Sequence, residues 1–200
     1  MNVNYQLELD KILASLDTAP RLLLHACCAP CSTYVLEYLS SRFDITIDFY
    51  NPNIYPEDEF QKRSEELERL IAKAPFGNGV KLECAKYDAR EFYDAVKGLE
   101  DIKEGGERCF ACYRLRLEHA AKRAKENNFD WFCTTLSISP HKNAAKLNEI
   151  GLELAEKYGV KYLPSDFKKR GGFLRSGQLS GEYGLYRQEY CGCIFSKNEK

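Results

Sequence analysis

The sequence lacks an excess of charge of either sign, and it lacks any long hydrophobic run. Its formal net charge at pH 7 is -1, so no global positive field indicates a nucleic-acid-binding protein. The apolar runs are a few residues long, whereas roughly 20 are needed to span a bilayer. The opening stretch, MNVNYQLELDKILASL, carries acidic residues where a secretory signal has a basic start. We therefore expect a cytoplasmic protein without a signal peptide and without membrane contacts.

The sequence also lacks the features of a disulfide-stapled protein or a repeat protein. Its nine cysteines are an odd number, and cytoplasmic thiols stay reduced unless they are catalytic or bound to metal. No internal repeat or low-complexity segment is visible. With 200 residues, of which 44% are hydrophobic, the chain can bury one sizeable core. We predict a single domain over residues 1–200 and expect a monomer.

Short β-rich apolar runs alternate with longer stretches of helical period. The predicted strands are residues 21–25, 45–50, 80–84, 131–135 and 160–163. The predicted helices are residues 33–40, 56–73, 90–97, 110–125 and 142–158. This alternation predicts an α/β fold, with a mainly parallel sheet sandwiched by helices. Residues 165–196 are predicted to form an irregular C-terminal segment, with one short helix, that folds back over a cysteine site.

Cysteines cluster where the chemistry of such a fold is expected, because ligands gather outside the carboxyl ends of parallel strands. Cys27, Cys28 and Cys31 follow the first predicted strand. Cys109 and Cys112 open a predicted helix, whose N-terminus favours thiolates over thiols. Cys191-Gly-Cys193 lies near the end of the chain. The remaining two cysteines, Cys84 and Cys133, fall inside apolar strand patterns, and we predict that both are small buried core residues.

The seven clustered thiols exceed the four ligands of a structural zinc or of an iron–sulfur cluster. Both kinds of site therefore leave thiols over. A single residue between Cys191 and Cys193 allows a strained, readily reduced ring disulfide, which favours electron relay. Additional metal ligation and simple packing remain alternatives for that pair. Cys31 can be a ligand, an auxiliary thiol, or only the start of a helix.

Several polar residues admit both a functional and an ordinary interpretation. Cations and aromatic rings interleave between residues 167 and 190, which suits a single-stranded RNA loop, although such a run is also typical of a solvated face. His25 can orient a substrate or donate a proton, or it can be a bonded core residue. Asp88 can be an acid or an oxygen ligand, or it can cap a helix. The candidate substrate contacts are His141, Lys142, Lys169, Arg170, Arg175, Tyr186 and Arg187.

Five motifs together carry a resemblance to a known family. They are His25-Ala-Cys-Cys-Ala-Pro-Cys-Ser-Thr-Tyr34, Phe49-Tyr-Asn-Pro-Asn-Ile54, Arg108-Cys-Phe-Ala-Cys-Tyr-Arg114, Thr134-Thr-Leu-Ser-Ile-Ser-Pro-His-Lys142 and Gly171-Gly-Phe with Tyr183-Gly-Leu-Tyr-Arg-Gln-Glu-Tyr-Cys-Gly-Cys193. The chain resembles the cobalamin-independent epoxyqueuosine reductases, the QueH family, over residues 21–196. The resemblance implies a HUP-like fold related to the nucleotide α-hydrolases. It implies reduction of epoxyqueuosine to queuosine at the wobble position of tRNA, with loss of the epoxide oxygen as water.

The resemblance further implies a [4Fe-4S] cluster held by Cys27, Cys28, Cys109 and Cys112, and a redox-active pair formed by Cys191 and Cys193. The partners would be tRNA carrying epoxyqueuosine in its anticodon loop and an unidentified electron donor. No glycine-rich phosphate loop follows the first strand, so ATP use is not supported.

We hypothesise that iron polarises the epoxide oxygen and that cluster and dithiol supply the electrons. The candidate acids are His25, Asp88 and Tyr113, and the spare thiols leave room for an additional iron, with Asp88 as an oxygen ligand. Two rival functions fit the cysteines, a zinc-stabilised RNA-binding module and a thiol-disulfide oxidoreductase.

Overall fold

A five-stranded, all-parallel sheet forms the centre of the computed structural model, which describes residues 3–198. The strands are β1 (Arg21–His25), β2 (Asp44–Phe49), β3 (Lys81–Cys84), β4 (Trp131–Thr134) and β5 (Lys161–Tyr162). Their order across the sheet is β3-β2-β1-β4-β5. The chain first adds β2 and β3 on one side of β1 and then adds β4 and β5 on its other side. Because all the strands are parallel, their carboxyl ends lie at one edge of the sheet, and the predicted α/β fold class is confirmed.

Helices follow or precede each strand. They are α1 (Tyr5–Ala14), α2 (Ala29–Leu39), α3 (Glu57–Lys73), α4 (Ala89–Ala95), α5 (Glu107–Glu126), α6 (Ala144–Tyr158), α7 (Gly172–Glu182) and α8 (Ile194–Asn198). Short 3-10 turns lie at Pro75–Gly77 and Thr135–Ile138. None of the helices formed by residues 3–198 is long and apolar enough to cross a membrane.

The side-chain alternation of β1 explains why helices cover both faces of the sheet. Leu22 and Leu24 point into one apolar core, with α1, α2 and α3, while Leu23 points into the other, with α5 and α6. All three leucines are fully buried. A strand with no solvated face reads as a continuous apolar run, which is the pattern of Leu22-Leu-Leu24.

The C-terminal segment is more regular than we predicted. Our expectation of one short helix was wrong, because α7 has 11 residues and α8 follows it. Glycine and serine weaken the helical signal of α7, yet they form its buried face against α2. Ser176 Oγ, for example, donates to the Pro30 carbonyl at 2.7 Å. Small residues allow this close approach, and packing overrides their low helix propensity.

The prediction that Cys84 is a buried core residue is also wrong. Cys133 is fully buried on β4, as predicted, whereas Cys84 is exposed. The strand that carries Cys84, β3, lies at the edge of the sheet and buries none of its four residues fully. An edge strand needs fewer apolar side chains than a central strand, so the apolar pattern at residues 80–84 was an unreliable signal of burial.

Candidate functional site

The Cys27, Cys28 and Cys31 thiols form one compact group at the carboxyl end of β1. Their sulfurs all lie within 4.8 Å of one another. Cys28 caps α2, since its sulfur accepts the backbone N–H of Cys31 at 3.4 Å. The Cys27 N–H donates to Thr135 Oγ1, which follows β4, at 3.4 Å. The turn between β1 and α2 is thus held from two sides, and this keeps the three sulfurs together.

The three thiols of this group differ in pKa. Hydrogen bonding with the Cys28 and Cys31 sulfurs lowers the pKa of Cys27 well below its usual range, against the opposing effect of burial. Burial raises the pKa of Cys28 to about 12, and the hydrogen bond to Cys27 raises the pKa of Cys31. Three sulfurs this close together suit a soft metal, whose binding would require deprotonation of the thiols.

The second pair of thiols lies at the start of α5. Cys109 and Cys112 are buried there, one helical turn apart. The backbone N–H of Gly105 donates to the Cys109 sulfur at 3.3 Å. Burial raises the pKa of both thiols. Both sulfurs line a small inner cavity, which they share with Cys191 and Cys193.

A larger cavity of about 320 Å³ opens beside the inner one. Its walls include Cys27, Cys31 and Cys191, so Cys191 lines both cavities. Lys142 Nζ lies 2.7 Å from the Cys191 sulfur and 3.4 Å from Glu104 Oε1. Burial opposes the charge of Lys142, but Cys191 and its other neighbours outweigh burial and raise the pKa of Lys142. A buried ammonium thus faces the thiol that links the two cavities.

The loop of Cys191-Gly192-Cys193 depends on its glycine. Gly192 has a φ of +134°, a conformation that side-chain-bearing residues rarely adopt. A β-carbon at Gly192 would lie 3.2 Å from atoms of Asn53, Ile54 and Arg63. The loop is therefore held against the chain that follows β2, with Cys191 at the larger cavity and Cys193 only at the inner one.

Comparison with known proteins identifies the family. The family model for epoxyqueuosine reductase QueH matches residues 22–199. This chain belongs to the epoxyqueuosine reductase QueH family. It is 42% identical over 205 residues to the epoxyqueuosine reductase QueH of Streptococcus pyogenes serotype M1, covering 98% of this chain and 80% of the relative. It is 39% identical over 183 residues to that of Thermotoga maritima, covering 90% of this chain and 91% of the relative.

Among solved structures, the chain is similar to the U34-tRNA thiolase NcsA from Methanococcus maripaludis with its [4Fe-4S] cluster. The TM-score is 0.36 at 12% sequence identity, and the match covers 89% of this chain and 71% of that one.

The structure brings together only part of the ligand set that the QueH resemblance implies. Cys31, to which the sequence assigned no single role, joins Cys27 and Cys28. Within residues 3–198, Cys109 and Cys112 are not members of that compact group, and they line the inner cavity instead. Cys191 connects the two sets, because it lines both cavities.

The predicted substrate contacts of this QueH-family chain divide into two groups. His141, Lys142 and Arg187 line the larger cavity. The others lie outside its lining, and three of them are engaged elsewhere. Arg170 pairs with Asp10, and Arg175 Nη2 lies 2.6 Å from Glu37 Oε1. Tyr186 Oη donates to Glu59 Oε2 at 3.1 Å. Lys169 is exposed and also lies outside the lining.

His25 and Asp88 do not line either cavity. His25 is fully buried, and its Nδ1 and Nε2 lie 2.9 Å from Thr134 Oγ1 and 3.2 Å from the Tyr50 carbonyl. Burial, followed by the Arg116 charge, lowers the pKa of His25 to about 4, so the ring is neutral. The ring links the end of β1 to the end of β4 and to the residue that follows β2.

Asp88 caps α4 and binds Arg90, whose hydrogen bonds lower the pKa of Asp88 to about 2. A carboxyl group that is ionised at neutral pH has no proton to donate, so we propose neither His25 nor Asp88 as the acid. Asp88 also lies outside both cavities and is engaged by Arg90, so we do not propose it as an oxygen ligand for an additional iron.

The sequence interpretation missed Arg116. This residue lines both cavities and is only 2% exposed. An arginine in the middle of a helix usually indicates a solvated face. Cys109, Cys112 and Arg116 follow an i, i+3, i+7 spacing, which places all three on one face of α5. That spacing was the available signal.

Proposed function

We propose that this chain reduces epoxyqueuosine to queuosine at the wobble position of tRNA, converting an epoxide to an alkene with release of water. The observation that carries the proposal is the shared position of Cys191. In a member of the QueH family, one thiol of a Cys-x-Cys pair lines both a cavity open to a substrate and an inner cavity lined by Cys109 and Cys112. Cys191 is therefore placed both to contact the substrate and to exchange electrons with the thiols of the inner cavity.

The donor set fits a thiolate-bound metal centre, because three thiols form the compact group and four further thiols line the inner cavity. Cys27, Cys28, Cys109 and Cys112 would hold a [4Fe-4S] cluster, and Cys31 is a spare thiol beside it, with room for an additional iron. When bound, such a cluster would supply low-potential electrons one at a time and a Lewis-acidic iron.

The Cys191 and Cys193 pair supplies the electron count that the reaction needs. Oxidation of two thiols to a disulfide releases two electrons and two protons. Reduction of an epoxide to an alkene and water consumes two electrons and two protons. The pair and the substrate are therefore matched in electrons and protons, and an external donor would return the disulfide to the dithiol.

Two side chains can hold protons beside this pair. Lys142 Nζ donates to the Cys191 sulfur at 2.7 Å, and this contact would stabilise negative charge that develops there during the reaction. The Tyr113 hydroxyl lines the inner cavity and has no hydrogen-bond partner among residues 3–198. Burial raises the pKa of Tyr113 to about 12, so it keeps its proton at neutral pH. Of the three acids considered from the sequence, Tyr113 is the one that we retain.

The larger cavity is suited to one splayed nucleotide. Its volume of about 320 Å³ is at the lower end of small-molecule sites, roughly 300–1,000 Å³. Phe173, which is 45% exposed, lines it together with Arg187. An exposed ring can stack on a base, and an arginine can bind a phosphate, which is how proteins recognise single-stranded RNA loops.

The test starts with iron, sulfide and zinc contents and a visible spectrum of anaerobically purified protein. We expect brown protein with about four irons and four sulfides, lost in a Cys109→Ser variant and kept in Cys84→Ser, whose thiol is exposed and lies outside both cavities. Colourless protein holding one zinc after reconstitution would favour the zinc-stabilised RNA-binding module and overturn the proposal.

A second experiment tests the dithiol. Cys191→Ser and Cys193→Ser should each keep the iron and lose turnover of epoxyqueuosine-tRNA with a physiological electron donor. Full turnover in either variant would exclude the relay. Reduction of protein disulfides, with no action on epoxyqueuosine-tRNA, would instead indicate a thiol-disulfide oxidoreductase.

A further inference from the structure

Arg116 is a buried cation that forms no ion pair with a carboxylate among residues 3–198. The residue is 2% exposed, and its Nε and Nη1 donate to the Cys112 carbonyl at 3.3 Å and to Asn51 Oδ1 at 3.4 Å. Nη2 is buried and has no hydrogen-bond partner in the described chain. Arg63 is buried to the same extent but has an ion pair with Glu59 at 2.7 Å.

Such an arrangement is unfavourable unless an anion completes it. An unpaired charge removed from water destabilises a protein by several kcal/mol, so buried charges are paired or bind a charged group. Arg116 lines both cavities. Cys27, Cys31 and Cys191 line the larger cavity with it, and Cys109, Cys112, Cys191 and Cys193 line the inner one, together with Tyr113. The missing anion therefore belongs between the thiol groups.

We propose that Arg116 is the counter-charge of a thiolate-bound iron–sulfur cluster and raises the cluster's reduction potential without holding iron. This inference rests on the cofactor of the proposed function. A cluster bound by four thiolates has a net negative charge, and reduction adds another electron to it. A fixed cation nearby stabilises the reduced state, since net charge and hydrogen bonds to the sulfurs are among the factors that set such potentials. Lys142, whose Nζ lies 2.7 Å from the Cys191 sulfur, is a second cation beside these thiols.

Arg116→Gln, Arg116→Lys and Arg114→Gln form a matched series on one helix. Arg114 is two residues away on α5, is 46% exposed and pairs with Glu153 on the surface. Iron and sulfide are measured first, and the midpoint potential is then determined by a redox titration followed by electron paramagnetic resonance. We expect Arg116→Gln to keep the wild-type iron content and to have a lower potential than the wild type. Arg116→Lys should lie closer to the wild type, and Arg114→Gln should equal it.

A wild-type potential in an Arg116→Gln protein with full iron content would overturn the proposal. If Arg116→Gln does not load iron, Arg116→Lys decides the question. A loaded lysine variant with a potential near that of the wild type supports the counter-charge, whereas a lysine variant that also fails to load shows a purely structural role. Wild-type protein that takes zinc and no cluster would refute the proposed cofactor. A wild-type cluster without action on epoxyqueuosine-tRNA would refute only the proposed function, because the potentials remain measurable.

Discussion

Replacement of Lys142 by methionine tests whether the ammonium beside Cys191 controls the reactivity of that thiol. The Lys142 side chain is 7% exposed and its Nζ lies 2.7 Å from the Cys191 sulfur. Methionine has a similar length and no charge, so it removes the donor and keeps much of the packing. A hydrogen bond to a charged group contributes about 1.5–3 kcal/mol. Its loss should slow the reactions of the Cys191 sulfur by at most about 10- to 150-fold.

The expected change in reaction rate is smaller than this limit. A sulfur that loses a neighbouring cation is also a better intrinsic nucleophile, with a Brønsted slope of about 0.4–0.5, and this offsets nearly half of the logarithm of the change. We therefore expect Cys191 in metal-free Lys142→Met protein to react with iodoacetamide about 3- to 20-fold more slowly at neutral pH.

The assay is mass spectrometry of the peptide that contains Cys191, sampled over time. The control is Lys146→Met. Lys146 lies in the first turn of α6, four residues after Lys142, and its Nζ lies 2.6 Å from Glu149 Oε1 rather than beside a thiol. Its labelling rate should equal that of the wild type. A rate in Lys142→Met within twofold of the wild type, with the fold intact by circular dichroism, would refute the role assigned to Lys142.

Three further predictions concern the loop and the cavity. Gly192→Ala should lower the free energy of unfolding by roughly 1–3 kcal/mol in a denaturant titration, because alanine rarely adopts a φ of +134°; unchanged stability would contradict the geometry of this loop. Phe173→Ala should raise KM for the tRNA substrate, whereas Leu174→Ala, more exposed at 68% but outside the cavity, should not; equal effects would exclude stacking in the cavity. Arg187→Gln should reduce the salt dependence of tRNA binding by about one unit of slope, whereas Arg170→Gln should change it little, because Arg170 pairs with Asp10. The reverse result would show that Arg170, and not the cavity residue Arg187, contacts the RNA.

The local sequence patterns were sufficient to predict the sheet and the edge at which chemistry occurs. Leu22-Leu-Leu24 indicated a strand buried on both faces, and parallel strands end at one edge by their connectivity. Cysteines placed directly after β1 and at the start of α5 therefore had to lie near that edge. The family, too, could be identified from motifs, because each motif is a short run of chain whose residues act together.

Relations between distant segments could not be read in this way. From the sequence, the cations between residues 167 and 190 appeared free to bind RNA. In the structure, however, Arg170 and Arg175 pair with acidic residues more than a hundred positions earlier in the chain. In the same way, α7 forms because small residues pack against α2, which outweighs the weak helix propensity of glycine.

The sequence by itself thus determined the fold class, the family and the sites of most of the clustered thiols, since hydrophobic periodicity and motif spacing are local properties. Only the tertiary structure decided which thiols share a cavity, that Cys191 joins the two groups, and that Arg116 faces them. The physical reason is that burial and charge pairing depend on which segments meet. An arginine that would be ordinary on a solvated helix face becomes an unbalanced charge when the fold encloses it beside thiols.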